Sequence, residues 1–150
     1  MQFSIQREAL LKPLQQVVGV VERRQTLPVL ANLLFKVADG QVSLTGTDLE
    51  VEMIAVTEAE KLADGEITIP ARKLFDIVRA LPDGAHIELK LNGDRVALHA
   101  GRSRFTLTTL PASEFPTVDQ IEVVEKVNLP EEVLRDLMER TAFAMANQDV

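Results

Sequence analysis

The chain has no cysteine, no tryptophan and no tyrosine, and only two histidines in 150 residues. Without cysteine, disulfides and thiolate metal sites are excluded, and the expected compartment is the cytoplasm. Without tryptophan or tyrosine, stacking of single-stranded bases on aromatic rings has little to work with. The two histidines, His86 and His99, have no second ligand at metal spacing. Neither is expected to be more than a surface or packing residue. No apolar run approaches the ~20 residues that cross a bilayer, and no charged segment followed by a long apolar stretch marks a secretion signal. No glycine-rich loop precedes a helix, so nucleotide binding has no support. None of the serines (Ser4, Ser43, Ser103, Ser113) lies in a GxSxG elbow. Glu50 and Glu52 could share a strand face as an acid–base or cation-binding pair, but the plain reading is a solvated strand face. The residues flag no active site, no cofactor and no metal.

What is present is a repeat. QFSIQREALLKPL from Gln2, GEITIPARKLFDIV from Gly65 and EKVNLPEEVLRDLM from Glu125 each read as a short alternating strand entering an amphipathic helix. A second pair, GQVSLTGTDLEVEM from Gly40 and GDRVALHAGRSRFTL from Gly93, reads as a hairpin in each of the first two copies. A recurring unit implies copies that bury their cores together. The third copy reaches its helix and no further strands follow, so the chain is expected to be one complete double unit plus the beginning of another.

Apolar content of 46% supports a core. Residues 2–6 alternate as a strand. Leu10, Leu11, Leu14, Val17, Val18 and Val21 make the apolar stripe of a helix starting at Arg7, with Pro13 threatening a bend. Strands are expected at 29–38, 41–46, 48–57 and 66–69, with a hairpin turn at Asp39-Gly40. A second helix follows Pro70, with Leu74, Phe75, Ile77, Val78 and Leu81 inward. Strands near 85–91, 95–100 and 103–110 complete that copy. The PASEFP segment from Pro111 reads as a linker. Beyond it come a strand at 121–128 and a third helix after Pro130, with Val133, Leu134, Leu137, Met138 and Met145 inward. Phe35, Phe75, Phe105 and Phe143 are expected in cores. The fold class is α+β: two strand–helix–three-strand units with helices on one face of antiparallel sheets.

Net charge is −7, which alone argues against nucleic acid as a partner. Its distribution is uneven. Arg7, Lys12, Arg23 and Arg24 outnumber Glu8 and Glu22 in the first helical segment, and Arg72, Lys73 and Arg79 outnumber Asp76 in the second. The strands between them carry Asp39, Asp48, Glu50, Glu52, Glu58, Glu60, Asp64 and Glu66 against Lys36 and Lys61. Such a chain would accept DNA on one face and repel it elsewhere. On charge alone, scattered solvated side chains account for the pattern at least as well.

LLKPLQQVVGVVERRQTLPVLANLL, SLTGTDLEVEM, TIPARKLFDIVRALP and AGRSRFTLTTLPASEFP resemble the first domain of the bacterial sliding clamp family, the beta subunit of DNA polymerase III. AFAMANQDV at the end resembles the early part of that family's second domain. The resemblance implies a DNA-clamp fold, with residues 1–116 as the first clamp domain and 117–150 as a linker and the incomplete start of the second. It implies a non-enzymatic processivity factor: two subunits form a homodimer ring around double-stranded DNA and tether the replicative polymerase, with a clamp loader as further partner and no membrane. Binding would be sequence-independent and weak enough to slide. Matched position by position, Arg24, Arg72 and Gln148 fall on DNA contacts of the family. Arg102, Arg104, Phe105 and Leu107 fall on the subunit interface, with Lys73 and Ile77 close to that edge. The alternative is a stand-alone interaction module that binds a clamp subunit through its GRSRFTL edge and limits ring closure. The family's partner pocket lies in later domains that this chain does not reach, which makes a truncated or partial product the expectation.

Overall fold

The computed structural model describes residues 1–21, 27–116 and 126–145. It divides into two compact units, Met1–Val118 and Asp119–Val150.

The first unit runs β1 (Gln2–Gln6), α1 (Arg7–Val18), β2 (Asn32–Ala38), β3 (Gln41–Thr47), β4 (Glu52–Glu58), β5 (Glu60–Ala63), β6 (Gly65–Pro70), α2 (Ala71–Ala80), β7 (His86–Asn92), β8 (Arg95–Ala100) and β9 (Ser103–Thr108). The first copy of the repeat is thus β1-α1-β2-β3-β4 and the second β6-α2-β7-β8-β9. The sheets do not follow the copies. One has the order β5-β1-β7-β8-β9 and the other β4-β3-β2-β6. Each copy sends its first strand into the other copy's sheet: Phe3 pairs with Leu89, and Phe35 with Ile67. All pairs are antiparallel.

The core forms where the inner faces of both sheets meet the helices. Phe3 and Phe35 stack with ring centroids 6.3 Å apart, joining one sheet to the other. Leu10, Leu14 and Val17 of α1 and Leu74 and Val78 of α2 are buried in the same cluster. Pro13 is buried inside α1 and the helix runs through it. Gly46 of β3 lies where α1 ends. A Cβ there would meet Leu33 Cδ2 at 2.9 Å and both Val17 O and Val20 Cγ1 at 3.0 Å.

Several expectations are corrected. Residues 28–31 form a 3-10 turn before β2, which starts only at Asn32. β4 starts at Glu52 because residues 48–51 make a tight turn. There the Asp48 carboxylate accepts the Glu50 and Val51 N–H groups at 2.9 and 2.7 Å, and Thr47 Oγ1 accepts the Leu49 N–H at 3.0 Å. These bonds hold Leu49 at a φ of +82°, rare for a residue with a Cβ. β5 was not expected; it is only four residues long, and Glu60-Lys61-Leu62-Ala63 does not alternate. PASEFP is not a spacer. It turns at Ala112–Glu114 and buries Phe115 against Val29 and Leu30. An isolated bridge, Thr68 to Leu110, ties this return to β6.

In the second unit, α3 spans Glu131–Ala142. Ion pairs Arg135–Glu131 and Arg140–Asp136 support it at i,i+4 spacing. Its stripe of Val133, Leu134, Leu137 and Met138 is exposed, as are Met145 and Phe143, the last at 88%. The inward placement expected for them is not found; an amphipathic helix buries its stripe only where a second surface covers it. The strand expected at 121–128 lies mostly outside the described residues, and 126–128 are not in a strand.

Candidate nucleic-acid face and open edges

The two helices of the first unit are antiparallel, and an arginine at the start of each caps the end of the other. Arg7, the first residue of α1, donates from Nε to Val78 O at 3.1 Å and from Nη2 to Arg79 O at 3.1 Å. Its Nη1 reaches Asp83 Oδ1 at 2.7 Å and Glu8 Oε1 at 3.1 Å. Arg72, in the first turn of α2, donates from Nη2 to Val21 O at 2.8 Å. Both satisfy carbonyls that a helix or its exit leaves unpaired, at the negative end of the dipole. Glu8 also accepts the Gly84 N–H at 3.0 Å, and with the Arg7 guanidinium this holds its carboxyl below the usual range.

Away from the core, α1 exposes Glu8, Lys12, Gln15 and Gln16, and α2 exposes Arg72, Lys73, Asp76 and Arg79. Arg79 pairs with Asp76 at 3.3 Å. Among the described residues, Lys12, Lys73 and Arg72 are therefore the cations this helical surface offers to a ligand. Arg7, counted with them from the sequence, is not: its side chain is 12% exposed and its donors are used within the fold. Arg24 and Gln148 lie outside the described residues. Arg24 follows Val21, the residue that Arg72 caps, by three positions.

The acidic character belongs mainly to one sheet. Glu52, Glu58 and Glu66 lie on β4 and β6 against Lys36 on β2. The other sheet is mixed, with Lys90, Arg95 and Arg104 alongside Glu88. His99 stands between Glu88 and Arg104 in register across β7, β8 and β9. Among the described residues no group of three or more His, Cys, Asp or Glu side chains could hold a metal ion. No helix there is long and apolar enough to cross a membrane.

β9 ends its sheet. Arg102 in the turn before it and Arg104 on it are exposed, Phe105 is half-buried against the core, and Leu107 is buried at 6%. Phe105 faces Leu98 and Arg104 faces His99 across the ladder. Lys73 is exposed and Ile77 half-buried, one turn apart on α2. β4 ends the other sheet, and sequence patterning did not mark it as a surface of interest. Its signal was the apolar run Met53-Ile54-Ala55-Val56, in which only Ala55 is buried.

Paired repeats with crossed first strands, capped antiparallel helices and two antiparallel sheets define a clamp-type domain. The chain belongs to the DNA polymerase III beta subunit family: residues 1–119 match its "DNA polymerase III beta subunit, N-terminal domain". The beta sliding clamp of Pseudomonas putida is 59% identical over 151 aligned positions, covering the whole chain and 41% of that protein. That of Escherichia coli K12 is 52% identical with the same coverage. A crystal structure of the Pseudomonas aeruginosa sliding clamp bound to griselimycin superposes with a TM-score of 0.95 at 55% identity, covering all of this chain and 41% of that one. The Caulobacter crescentus polymerase III beta structure gives 0.95 at 39% identity, covering all of this chain and 40% of that one. The chain thus spans about two fifths of the length of the relatives it matches.

Proposed function

We propose that this chain supplies the N-terminal part of a sliding clamp: a non-catalytic processivity factor of the cytoplasm that encircles duplex DNA as a homodimer ring, tethers the replicative polymerase and is placed on DNA by a clamp loader. The observation that carries the reading is the whole-chain superposition on solved clamps at a TM-score of 0.95. Residues 1–116 are read as the first clamp domain and 117–150 as a linker with the start of the next. The capped helix pair supports a DNA-facing role, because it exposes Lys12, Lys73 and Arg72 beside an acidic sheet. Arg24, Arg72 and Gln148 are the proposed DNA contacts. Few cations on an acidic protein suit retention by topology, since many tight phosphate contacts would stop sliding. β9 is the proposed ring seam. Arg102 and Arg104 meet an acidic counterpart there, Phe105 adds apolar contact, and buried Leu107 holds the strand's shape. Lys73 and Ile77 flank it.

The test uses a protein of clamp length that carries this chain as its N-terminal part. Wild type should stay on nicked circular DNA and leave when the circle is cut. Arg24→Ala with Arg72→Ala should weaken association and flatten its dependence on salt by up to about two ions. Equal retention on cut and closed DNA would end the ring reading. An unaltered salt slope would remove these arginines from it.

The unpaired edge of β9 also favours a second reading, an interaction module that caps a clamp subunit and limits ring closure. Capture of a clamp by the 150-residue chain, lost in Phe105→Ala and Arg104→Ala, together with fewer closed rings on DNA, would select it.

A further inference from the structure

The chain changes sheets at Ala59. β4 ends at Glu58 in the four-stranded sheet, and β5 begins at Glu60 in the five-stranded one. β5 pairs with β1 in an irregular register, in which Gln2 meets Ala63 and Ser4 meets Glu60. Such a bulge bends a strand and re-aims its side chains. A cavity of about 220 Å³ lies at this corner, and its polar lining is Ser4, Gln6, Glu58 and Glu60. Ile5, Ala59 and Ala9 of α1 complete the wall. Ser4 is 1% exposed, yet among the described residues its hydroxyl has no hydrogen-bond partner. Buried hydroxyls are nearly always bonded, so one that faces a cavity is open to a group from outside. Glu58 and Glu60 are exposed and form no ion pair with a described residue.

We propose that this corner binds an aliphatic diamine. The Ser4 oxygen, the Gln6 amide oxygen and the two carboxylates can all accept hydrogen bonds, so the occupant is a donor. Two carboxylates repel an anion and match two positive charges. At ~30 Å³ per water the cavity has room for several waters, more than a bare metal ion needs. Among the described residues no group of three or more His, Cys, Asp or Glu side chains stands ready for such an ion. An ammonium group brings three donors and no acceptor, which is the complement of this lining. Its methylene stem has Ile5, Ala9 and Ala59 to lie on, as the stem of a lysine lies on apolar surface while its head stays among polar groups. One ammonium meets Ser4 and Glu60, which oppose each other in the β1–β5 register. The second meets Glu58, on the other side of Ala59. The site lies within the first unit and does not rest on the DNA-facing reading.

The test is an NMR titration of the isotope-labelled 150-residue chain with diaminobutane at fixed ionic strength, with sodium chloride as the reference. The amide signals of Gln6, Ala9, Ala59 and Glu60 should shift saturably, with half-saturation at ~1 mM. Glu60→Gln and Ser4→Ala, each checked for an unaltered thermal melt, should raise the half-saturation about threefold or more. Glu66→Gln, which removes an exposed acid on β6, should leave it where it is. Aminobutane, with one charge, should bind about threefold more weakly than the diamine. Should Ser4→Ala lower the melt, Glu60→Gln carries the test by itself, since it changes an exposed side chain. Shifts that sodium chloride reproduces, or that grow without saturating, would show charge screening alone and overturn the proposal. Equal binding of the monoamine would overturn it too, as would magnesium that displaces the diamine and saturates the same signals.

Discussion

The Thr68 hydroxyl takes a hydrogen bond from the Asn32 amide at 2.8 Å and one from the Leu110 N–H at 3.2 Å, and gives its own proton to Leu110 O at 2.8 Å. It joins β2, β6 and the return after β9 from a position with no exposure. Thr68→Val keeps the shape and removes the hydroxyl, leaving the Asn32 amide and the Leu110 N–H without that acceptor. The expected cost is about 1–3 kcal/mol, read as a lower urea midpoint at constant slope; Thr68→Ser should recover most of it. Asp48 gives a pH test. Hydrogen bonds from the Val51 and then the Glu50 N–H hold its carboxyl below the usual value. Its folded pKa is thus depressed, so its contribution is present above the unfolded carboxylate range, about pH 4, and is lost as pH falls through the folded value. Asp48→Asn should be less stable than wild type at neutral pH, and the two urea midpoints should converge on acidification. A constant gap across pH would show that the turn does not depend on this charge. The sequence identified Asp48 as an acid, but not as a turn cap. That role needs the backbone of residues 49–51 to curl around it.

At the scale of elements, the arginines that open α1 and α2 look alike in sequence and differ in use. Arg7 is enclosed by the end of α2 and is expected to contribute mainly to stability. Arg72 is exposed, and its one bond to Val21 O leaves it able to meet a phosphate as well. Arg7→Ala should therefore lower stability by about 1–3 kcal/mol, as loss of a charged hydrogen-bond donor does, and leave the salt slope of DNA association unaltered. Arg72→Ala should flatten the salt slope and cost less stability than Arg7→Ala, since it gives up only the one bond to Val21 O. Denaturant titration alongside DNA binding at several salt concentrations separates the two. Equal effects in both assays would mean that the helix pair acts as one cap. Helices, hairpins and apolar stripes were legible because period and turn residues are local. Which cations the fold consumes was not, because Arg7 meets residues more than seventy positions away.

At the scale of the molecule, the crossed first strands make the two copies interdependent. β1 has its partners β5 and β7 outside its own α1–β4 stretch, and β6 completes the sheet that the first copy begins. Fragments 1–64 and 65–116 should each fail to give a cooperative melt, and should regain one when mixed. Circular dichroism on the fragments and their mixture checks this. A sharp melt for either half alone would show that the copies are self-sufficient. β9 ends one sheet and β4 the other, so among the described residues one sheet has a basic last strand and the other an acidic one.

Local order, the repeat and the family were determined by the sequence itself, since alternation, helical spacing, turn residues and strings such as SLTGTDLE are written in neighbouring positions. The tertiary structure alone decided the exchange of first strands, the withdrawal of Arg7 into a cap, the burial of Phe115 and the exposure of Ile54 and Val56. Each depends on which distant surface a segment meets, and a pattern of apolar and polar residues states that something is to be covered without stating by what.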